Sequence, residues 1–206
     1  LEARNVPCFE ADVRFAQRYL IDRGIRGAFE VHGHSSQHAR LGRVLRNPEI
    51  EPARWLPDLK VLSIDIETDL GGHDVFAIAL HSPQFERVLI VHDHLLQHGE
   101  PVSSEKALLR RFVEYVHELD PDVITGWNVV DFDLAVLQRA AQRHGVRFDI
   151  GRNDDELQIR RDPSFTRQSR AVLCGRQVLD GLALVRGAFI RLEDYKLETA
   201  AQHFLG

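Results

Sequence analysis

Three runs of strand-forming residues follow one another between residues 61 and 92. They read VLSIDIE (61–67), VFAIALH (75–81) and RVLIVH (87–92), and the pieces between them, TDLGGHD and SPQFE, are short and rich in turn-forming residues. Such short connections join neighbouring strands that run in opposite directions. The sequence therefore predicts an antiparallel three-stranded meander.

After the meander, apolar residues recur at helical spacing in two places. The segment 103–119 opens with two serines that can cap a first turn, and Asp-Pro-Asp at 120–122 ends it. A short strand, VIT (123–125), leads through GWNVVDF into a second helical segment, which begins near Asp133 and which Gly145 terminates.

The rest of the chain returns to strands and helices after a polar interruption. Residues 151–170 are rich in arginine and predict a loop or hairpin, 171–181 have strand character, and 183–189 and 195–206 are helical. Three strands, a helix, a strand and further helices together predict an α/β fold, in which a mixed sheet is flanked by helices.

A small unit precedes the meander. Residues 9–23 predict a helix and residues 28–32 a strand, and the polar stretch HSSQHARLGR follows them. The Pro-containing segment NPEIEPARWLPD separates this small α+β unit from the meander, so we place a boundary near Leu56. The predicted domains are residues 1–56 and 57–206.

Composition excludes several classes of protein. A chain of 206 residues with 44% apolar residues can bury a core in one large domain or two small ones. Its apolar runs fall short of the ~20 residues of a membrane span, and it begins without the apolar stretch of a signal peptide, which indicates a soluble, cytoplasmic protein. A net charge of −5 lacks the basic footprint of a general duplex binder, so any contact with nucleic acid is local.

The two sulfur-containing residues are both cysteines. Cys8 and Cys174 lie far apart and form no Cys-x-x-Cys pair, so we expect buried thiols instead of a disulfide or a thiolate metal site. The sequence has no methionine and ends in a helical segment, so we expect it to be part of a longer chain.

Two carboxylates interrupt the first strand of the meander. Side chains alternate between the faces of a strand, so Asp65 and Glu67 share one face, about 7 Å apart, and Ile64 and Ile66 share the other. Two acids that are buried together repel each other and need a compensating cation. Mg²⁺ and Mn²⁺ are suited to this role because they prefer oxygen ligands. The alternative is a half-exposed strand with a polar outer face.

A third acid opens the second helix. In PDVITGWNVVDFDLAVL (121–137), an apolar strand runs into an irregular stretch, and Phe132 and Asp133 begin the helix. Asp133 can cap that helix or reach a metal ion, and Asp131 competes with it as the cap.

DIET in a strand, followed across one helix by GWNVVDFD, resembles the first two exonuclease motifs of family B DNA polymerases, and the wording is closest to their bacterial polymerase II branch. The resemblance extends through FEADVR and RYL near the start, DPDVITGWN, the Gly-Arg of GRNDDEL, GRQVLDG and the final YKLETAAQHFLG.

The resemblance implies a ribonuclease-H-like fold and a proofreading 3′-5′ exonuclease, which uses four acidic residues and two divalent ions, Mg²⁺ or Mn²⁺. It assigns Asp65 as the ligand that bridges both ions, Glu67 to the ion that activates water, and Asp133 to the other ion. It makes residues 1–56 part of an N-terminal polymerase domain and 57–206 an exonuclease domain.

The third motif of the family, a Tyr followed four residues later by Asp, is expected beyond this chain. Tyr195 is not that motif, because Thr199 stands four residues on, and packing in the core is the better role for it. The resemblance therefore predicts weak or absent turnover for these residues alone, and looser binding at the metal site that lacks its ligand.

The expected partners are DNA, as a single strand or a frayed primer 3′ end, the polymerase domain of the parent chain, and a sliding clamp, in a bacterial cytoplasm near the nucleoid. Asn128 and Phe132 are the candidates for substrate contact, with Trp127 beside them, although core burial is an open alternative for both aromatic residues. Asp180 is a further candidate for the site.

An arginine-rich stripe could guide the strand, although neighbouring acids favour a solvated loop. Its members are Arg152, Arg160, Arg161, Arg167 and Arg170.

Two other functions stay open. HGHSSQH (32–38) and HDHLLQH (92–98) each have the spacing His-x-His-x3-His, and three imidazoles can form a catalytic zinc site of a hydrolase. An exonuclease-like domain that is inert and serves as a DNA-binding scaffold is the second alternative, against which the presence of Asp65, Glu67 and Asp133 argues.

Overall fold

The computed structural model describes residues 13–38, 42–161 (the Arg161 side chain excepted) and 169–206. Contacts divide the chain into two units, Leu1–Asp58 and Leu59–Gly206. The boundary predicted near Leu56 lies just before this division.

The first unit is built from short elements. They are α1 (Phe15–Asp22), β1 (Phe29–His32), β2 (Ser35–His38), β3 (Gly42–Leu45) and β4 (Glu49–Pro52). β1 pairs antiparallel with β4, and β2 pairs antiparallel with β3, so the polar stretch HSSQHARLGR contributes residues to two strands that were not predicted. Among the described residues of this unit only Ile25 is buried. Residues 9–12 of the predicted first helix lie outside the described residues.

The second unit contains a six-stranded sheet, a separate hairpin and four helices among its described residues. In chain order its elements are β5 (Val61–Thr68), β6 (Val75–Ser82), β7 (Phe85–Val91), β8 (Glu100–Val102), α2 (Glu105–Leu119), β9 (Val123–Gly126), α3 (Asp133–His144), β10 (Gln158–Arg161), β11 (Ser169–Val172), β12 (Gln177–Asp180), α4 (Gly181–Gly187) and α5 (Leu197–Leu205).

The strand order in the large sheet is β12-β9-β5-β6-β7-β8. β5, β6 and β7 form the predicted antiparallel meander. β9 pairs parallel with β5 and with β12, and β8 pairs parallel with β7. The predicted mixed sheet with flanking helices is confirmed. The edge positions of β8 and β12 were not predicted, because strands of three or four residues show no clear alternation.

Alternation along β5 fixes which face meets the core. Leu62, Ile64 and Ile66 are buried, whereas Asp65 and Glu67 on the opposite face are exposed. Helices α2 and α3 pack against the sheet and against each other, and Phe112 of α2 stacks on Phe148 with ring centroids 5.9 Å apart. Burial of each such large apolar side chain contributes about 1.5–3 kcal/mol.

The ends of α2 and α3 follow the predicted capping residues. The Oγ atom of Ser104 accepts a hydrogen bond from the Ala107 amide at 3.3 Å, which satisfies a free donor of the first turn of α2. Gly145 takes a left-handed conformation (φ 60°) after α3, and its amide donates to the carbonyls of Ala141 and Gln142.

Two Gly-Arg sequences, Gly151-Arg152 and Gly175-Arg176, connect the loops at the amino-terminal ends of β9 and β12 through hydrogen bonds. Arg152 donates to the carboxylates of Asp120 and Asp122 at 2.8 and 2.7 Å. Arg176, whose side chain is only 2% exposed, donates to Asp120 and to the carbonyls of Ile150 and Pro121. The guanidinium of Arg152 also donates to the carbonyls of Gly175 and Asp120, so these bonds give Arg152 a structural role, whereas its part in guiding nucleic acid stays a prediction.

The structure corrects the expectation for one cysteine. Cys174 is a free, exposed thiol in the turn between β11 and β12, where its carbonyl accepts from the Arg152 amide and its side chain faces outward. Cys8 lies outside the described residues.

Within the described ranges, no helix has the length and apolar character needed to cross a membrane.

Candidate active site

Three strands place polar residues at the same edge of the large sheet, namely the edge formed by the carboxyl-terminal ends of these strands. β5, β9 and β12 run parallel, with Ser63 opposite Thr125 and Gly126 opposite Asp180. Their carboxyl ends therefore meet at one edge. In sheets with parallel strands, ligands commonly bind at this edge.

Asp65 and Glu67 lie on one face of β5, as alternation predicts, but both are exposed. The premise that this strand buries them is wrong, because only the isoleucine face of β5 packs against the helices. The half-exposed strand with a polar face is the arrangement found. Opposite the two acids on β6 lie Ala79 and Ala77, whose small side chains leave the carboxylates accessible.

The pairing of β5 changes directly after Glu67. The register between β5 and β6 shifts between Glu67 and Thr68. Irregularities of this kind re-aim side chains and are frequent beside active sites.

Asp133, the first residue of α3, is the buried acid of the site. It is 2% exposed, and its Oδ1 atom has no hydrogen-bond partner. Burial raises the pKa of Asp133 to about 7, and repulsion from Asp65 and Asp180 adds to the shift, whereas its own amide and that of Ile66 oppose it. The structure thus brings Asp65 and Asp180 close enough to Asp133 for their charges to act on it.

Capping of α3 does not explain why an acid is buried at position 133. The residue at the N-cap position of α3 is Phe132, whose side chain makes no capping hydrogen bond, and Asp131 is exposed. A buried carboxylate oxygen without a partner costs free energy unless a proton or a cation compensates it. The chemistry of this acid therefore fits a divalent metal ion as its partner.

The segment between β9 and α3 carries the predicted substrate residues. Asn128 is half-buried and adopts a left-handed conformation (φ 58°), and its carbonyl accepts from the Phe132 amide. Phe132 is 40% exposed, so core burial is not its role. Trp127 is half-buried and its indole N–H donates to the carbonyl of Tyr195 at 3.1 Å, which gives it a structural contact.

The turn that joins β5 to β6 was predicted, but its contact with the segment of the site was not. Asp69 Oδ1 accepts from the amides of His73 and Asp74 at 2.6 and 3.0 Å, and these bonds lower the pKa of Asp69. Gly72 lies against Phe132, since a Cβ atom there would be 3.8 Å from the ring. The signal was present in TDLGGHD, which was used only to predict a turn.

Other predicted candidates lie away from this edge or have structural contacts. Tyr195 is half-buried, and its hydroxyl donates to the Ile190 carbonyl at 3.2 Å, in agreement with a packing role. Arg160 and Arg170 are exposed and opposite each other on the β10–β11 hairpin, which confirms the hairpin but tests no nucleic-acid contact. The side chain of Arg161 and all of Arg167 lie outside the described residues.

No metal-ligand set is complete among the described residues. Nowhere in them do three His, Cys, Asp or Glu side chains come together closely enough to hold an ion. This applies to the described histidines of 32–38 and 92–98, and it applies equally to Asp65, Glu67 and Asp133. The three acids are gathered at one edge without forming a coordination sphere.

Comparison with known proteins identifies the class. The model of the DNA polymerase family B exonuclease domain matches residues 6–200. The solved family B DNA polymerase of Pyrobaculum calidifontis superimposes with a TM-score of 0.69 at 25% identity, over 95% of this chain and 25% of that one. This chain therefore belongs to the family B DNA polymerases and contains their exonuclease domain, with its ribonuclease-H-like fold.

Individual relatives show which DNA polymerases the chain is similar to. The chain is 34% identical to DNA polymerase II of Escherichia coli, over all of this chain and 26% of that protein. It is 29% identical to a DNA polymerase of Desulfurococcus, over 98% of this chain and 23% of that protein. The chain thus spans about a quarter of the length of these relatives. Because the family model covers both units, a separate polymerase domain in residues 1–56 stays a prediction.

Proposed function

We propose that this chain is a 3′-5′ exonuclease that removes nucleotides from the 3′ end of single-stranded DNA with divalent metal ions, Mg²⁺ or Mn²⁺. The single observation that carries the proposal is Asp133, buried without a partner for Oδ1 beside the exposed Asp65. Family membership supplies the class of reaction, and the E. coli and Desulfurococcus relatives are DNA polymerases, which supports DNA as the substrate.

Asp65, Glu67 and Asp133 have different roles in this proposal. Asp65 shares a face of β5 with Glu67, and its charge acts on Asp133, so Asp65 would be the ligand common to both ions. Glu67 is exposed and would hold the ion next to the water nucleophile, and Asp133 would hold the other ion. Two such ions, when bound, stabilise both the attacking and the leaving oxygen of a phosphodiester.

The substrate contacts follow from exposure. Phe132 presents part of its ring beside Asp133 and can stack on an unpaired base. Asn128 lies on the same segment and can donate to the strand. Stacking on a single strand requires a frayed end, which is the state of a mispaired primer terminus.

The test is shortening of a single strand that carries a 5′ label. With Mg²⁺ or Mn²⁺ in excess and the chain in excess over DNA, we expect a ladder of shortened products, because the label stays on the strand only when nucleotides leave from the 3′ end. Asp65→Ala combined with Glu67→Ala should abolish the ladder. Glu86→Ala, which removes an exposed acid of the same sheet, is the matched control and should leave it unchanged.

Two preparations make the outcome decisive. Residues 1–206 are assayed beside a chain that continues beyond Gly206 through a Tyr-x3-Asp motif, and we expect slow shortening from the first and faster shortening from the second. Activity that persists in the double variant, or that requires zinc, would contradict the proposal. Binding of single-stranded DNA without shortening by either preparation would favour the inert scaffold. Contact with a sliding clamp and a place near the nucleoid stay predictions.

A further inference from the structure

The junction between β12 and α4 underlies the segment that carries the site. Asp180 Oδ2 accepts a hydrogen bond from the Val130 amide at 3.1 Å, and its Oδ1 accepts from the Ala183 amide at 3.2 Å. One carboxylate therefore joins the first turn of α4 to the middle of segment 127–132.

Close packing on either side of Asp180 strengthens this connection. Thr125 Oγ1 donates to the Leu179 carbonyl at 2.7 Å. A Cβ atom at Gly181 would lie 3.2 Å from both the Gly126 carbonyl oxygen and the ring of Trp127, so a larger residue would have to push these neighbours aside. β9 and the start of segment 127–132 are thereby held directly against the β12–α4 junction.

Segment 127–132 leads into Asp133, whose Oδ1 atom has no hydrogen-bond partner, while the Ile66 amide of β5 bonds to the same carboxylate. With one oxygen unpaired, the position of this acid depends strongly on the backbone that delivers it. That backbone includes the left-handed Asn128, a conformation that costs free energy and needs support from its surroundings. The bond from Val130 to Asp180 is such a support, three residues before Asp133.

We propose that Asp180 is a positioning residue for the nuclease site: it fixes segment 127–132 and thereby sets the place of Asp133 opposite Asp65. The inference rests on the proposed function for its consequence, but the contact itself does not depend on it. Asp180 is not assigned as a metal ligand, because both of its oxygens accept from amides and no ligand set forms around it in the described residues.

The chemistry of the side chain explains why an acid stands here despite its repulsion of Asp133. The Val130 and Ala183 amides bond to different oxygen atoms of Asp180, and both oxygens of an aspartate can accept. Asparagine has one accepting oxygen and an NH₂ group, which would face the second amide donor to donor. Serine has a single oxygen, which can keep the cap of α4 but cannot span to Val130.

Amide hydrogen exchange tests the contact directly. In Asp180→Ser and Asp180→Ala we expect the Val130 amide to exchange at least about tenfold faster, the loss expected for a hydrogen bond to a charged group. In Ser104→Ala, which removes the cap of α2 and nothing near the site, exchange at Val130 should be unchanged. Asp180→Asn provides a nearly isosteric variant, in which only one of the two amides can keep its acceptor.

Metal binding tests the consequence for the site. Titration with Mn²⁺ should give a dissociation constant at least about fivefold higher in Asp180→Ser than in the unaltered chain, whereas Ser104→Ala should bind like the unaltered chain. A purely structural role would lower the stability of both variants and leave the Mn²⁺ affinity of both alone.

The outcomes separate the two proposals. Unchanged exchange at Val130 in Asp180→Ala, or faster exchange with full Mn²⁺ affinity, would overturn the positioning role. If the unaltered chain binds no Mn²⁺, the proposed metal-dependent function fails, and the exchange at Val130 still decides whether Asp180 holds the segment.

Discussion

Glu105, at the start of α2, accepts hydrogen bonds from the guanidinium of Arg143, at the end of α3, at 2.8 and 2.9 Å. The same carboxylate accepts from the Val75 amide at the start of β6, and Arg143 also donates to the carbonyl of His73. One half-enclosed acid therefore connects both helices to the turn that follows Glu67. This contact fixes how the two helices that cover the sheet meet the strand that carries the acids.

Replacing Glu105 should destabilise the fold more than replacing an exposed acid on the same helix. Glu105→Gln keeps the size of the side chain but loses charge-assisted bonds to Arg143, and we expect a loss of about 1.5–3 kcal/mol in the free energy of unfolding. Glu114→Gln, which removes an exposed ion pair with Arg111, should cost less than about 0.5 kcal/mol. Urea titration measures both, and equal losses would contradict the role of Glu105.

The contribution of Glu105 should also depend on pH. Burial raises the pKa of Glu105, but bonds from the Val75 amide, His144 and Arg143 outweigh it, so the pKa lies below its ordinary value of 4.5. A lowered pKa means that ionised Glu105 stabilises the folded state above pH 4.5, and that this contribution is lost as the pH falls below that value. The difference between the unaltered chain and Glu105→Gln should therefore shrink from pH 7 to pH 3. A difference independent of pH would exclude this account.

Asp133 should have the opposite effect on stability. Its pKa is raised from 3.8 to about 7, so ionisation costs free energy in the folded state, and stability should fall as the pH rises from about 4 to 8 in the absence of divalent ions. Asp133→Asn should remove this dependence and stabilise the metal-free chain by about 2–4 kcal/mol at pH 8. Asp131→Asn, an exposed neighbour, is the control. Thermal unfolding in EDTA at several pH values measures the effect, and a flat profile for the unaltered chain would contradict it.

Gly126 should tolerate no side chain. A Cβ atom at this position would lie 2.6 Å from the carbonyl oxygen of Ile64, so Gly126→Ala must separate β9 from β5. We expect a loss of more than about 2 kcal/mol in the free energy of unfolding. Gly187→Ala is the matched control, because a Cβ atom there meets nothing within 4 Å. Similar unfolding midpoints for the two variants would show that the strands do not approach as described.

Arg176 should be among the arginines whose loss is costly. Its guanidinium is 2% exposed and bonded to Asp120 and to main-chain carbonyls, so Arg176→Met leaves buried acceptors without a donor. We expect a loss of about 2–4 kcal/mol, because the buried carbonyls of Ile150 and Pro121 lose their donor. Arg110→Met, an exposed arginine of α2, should change stability by less than about 0.5 kcal/mol. A mild effect at Arg176 would indicate that water replaces its contacts.

The parts that the sequence predicted are those governed by local pattern. The strands around Ile64 and the caps at Ser104 and Gly145 follow from alternation and from local hydrogen bonding, which neighbouring residues decide. Alternation predicted that Asp65 and Glu67 share one face, whereas their motif was identified through the family resemblance. The environment of those acids was predicted wrongly, because the pattern of a strand does not state which of its faces a helix covers.

The parts that were missed depend on residues far apart in the chain. The contact of Arg152 with Asp120 and Asp122 crosses thirty positions, so an arginine in a polar stretch was indistinguishable from one on a solvated loop. The connection of Arg143 to His73 crosses seventy positions. In the same way, the outward direction of Cys174 is set by a turn between two strands, and no local signal predicts it.

The alternation along β5 sets the orientation of the acids and of the core side chains through the same strand register. A slip of one residue against β6 would turn Asp65 and Glu67 inward and Ile64 and Ile66 outward, so the misaligned sheet would bury two charges and expose two isoleucines. Such an error is penalised twice, once by the lost apolar burial and once by the desolvated acids. Correct folding of this strand and correct aiming of its carboxylates are therefore one event, and a folded chain with a misaimed first motif should not accumulate.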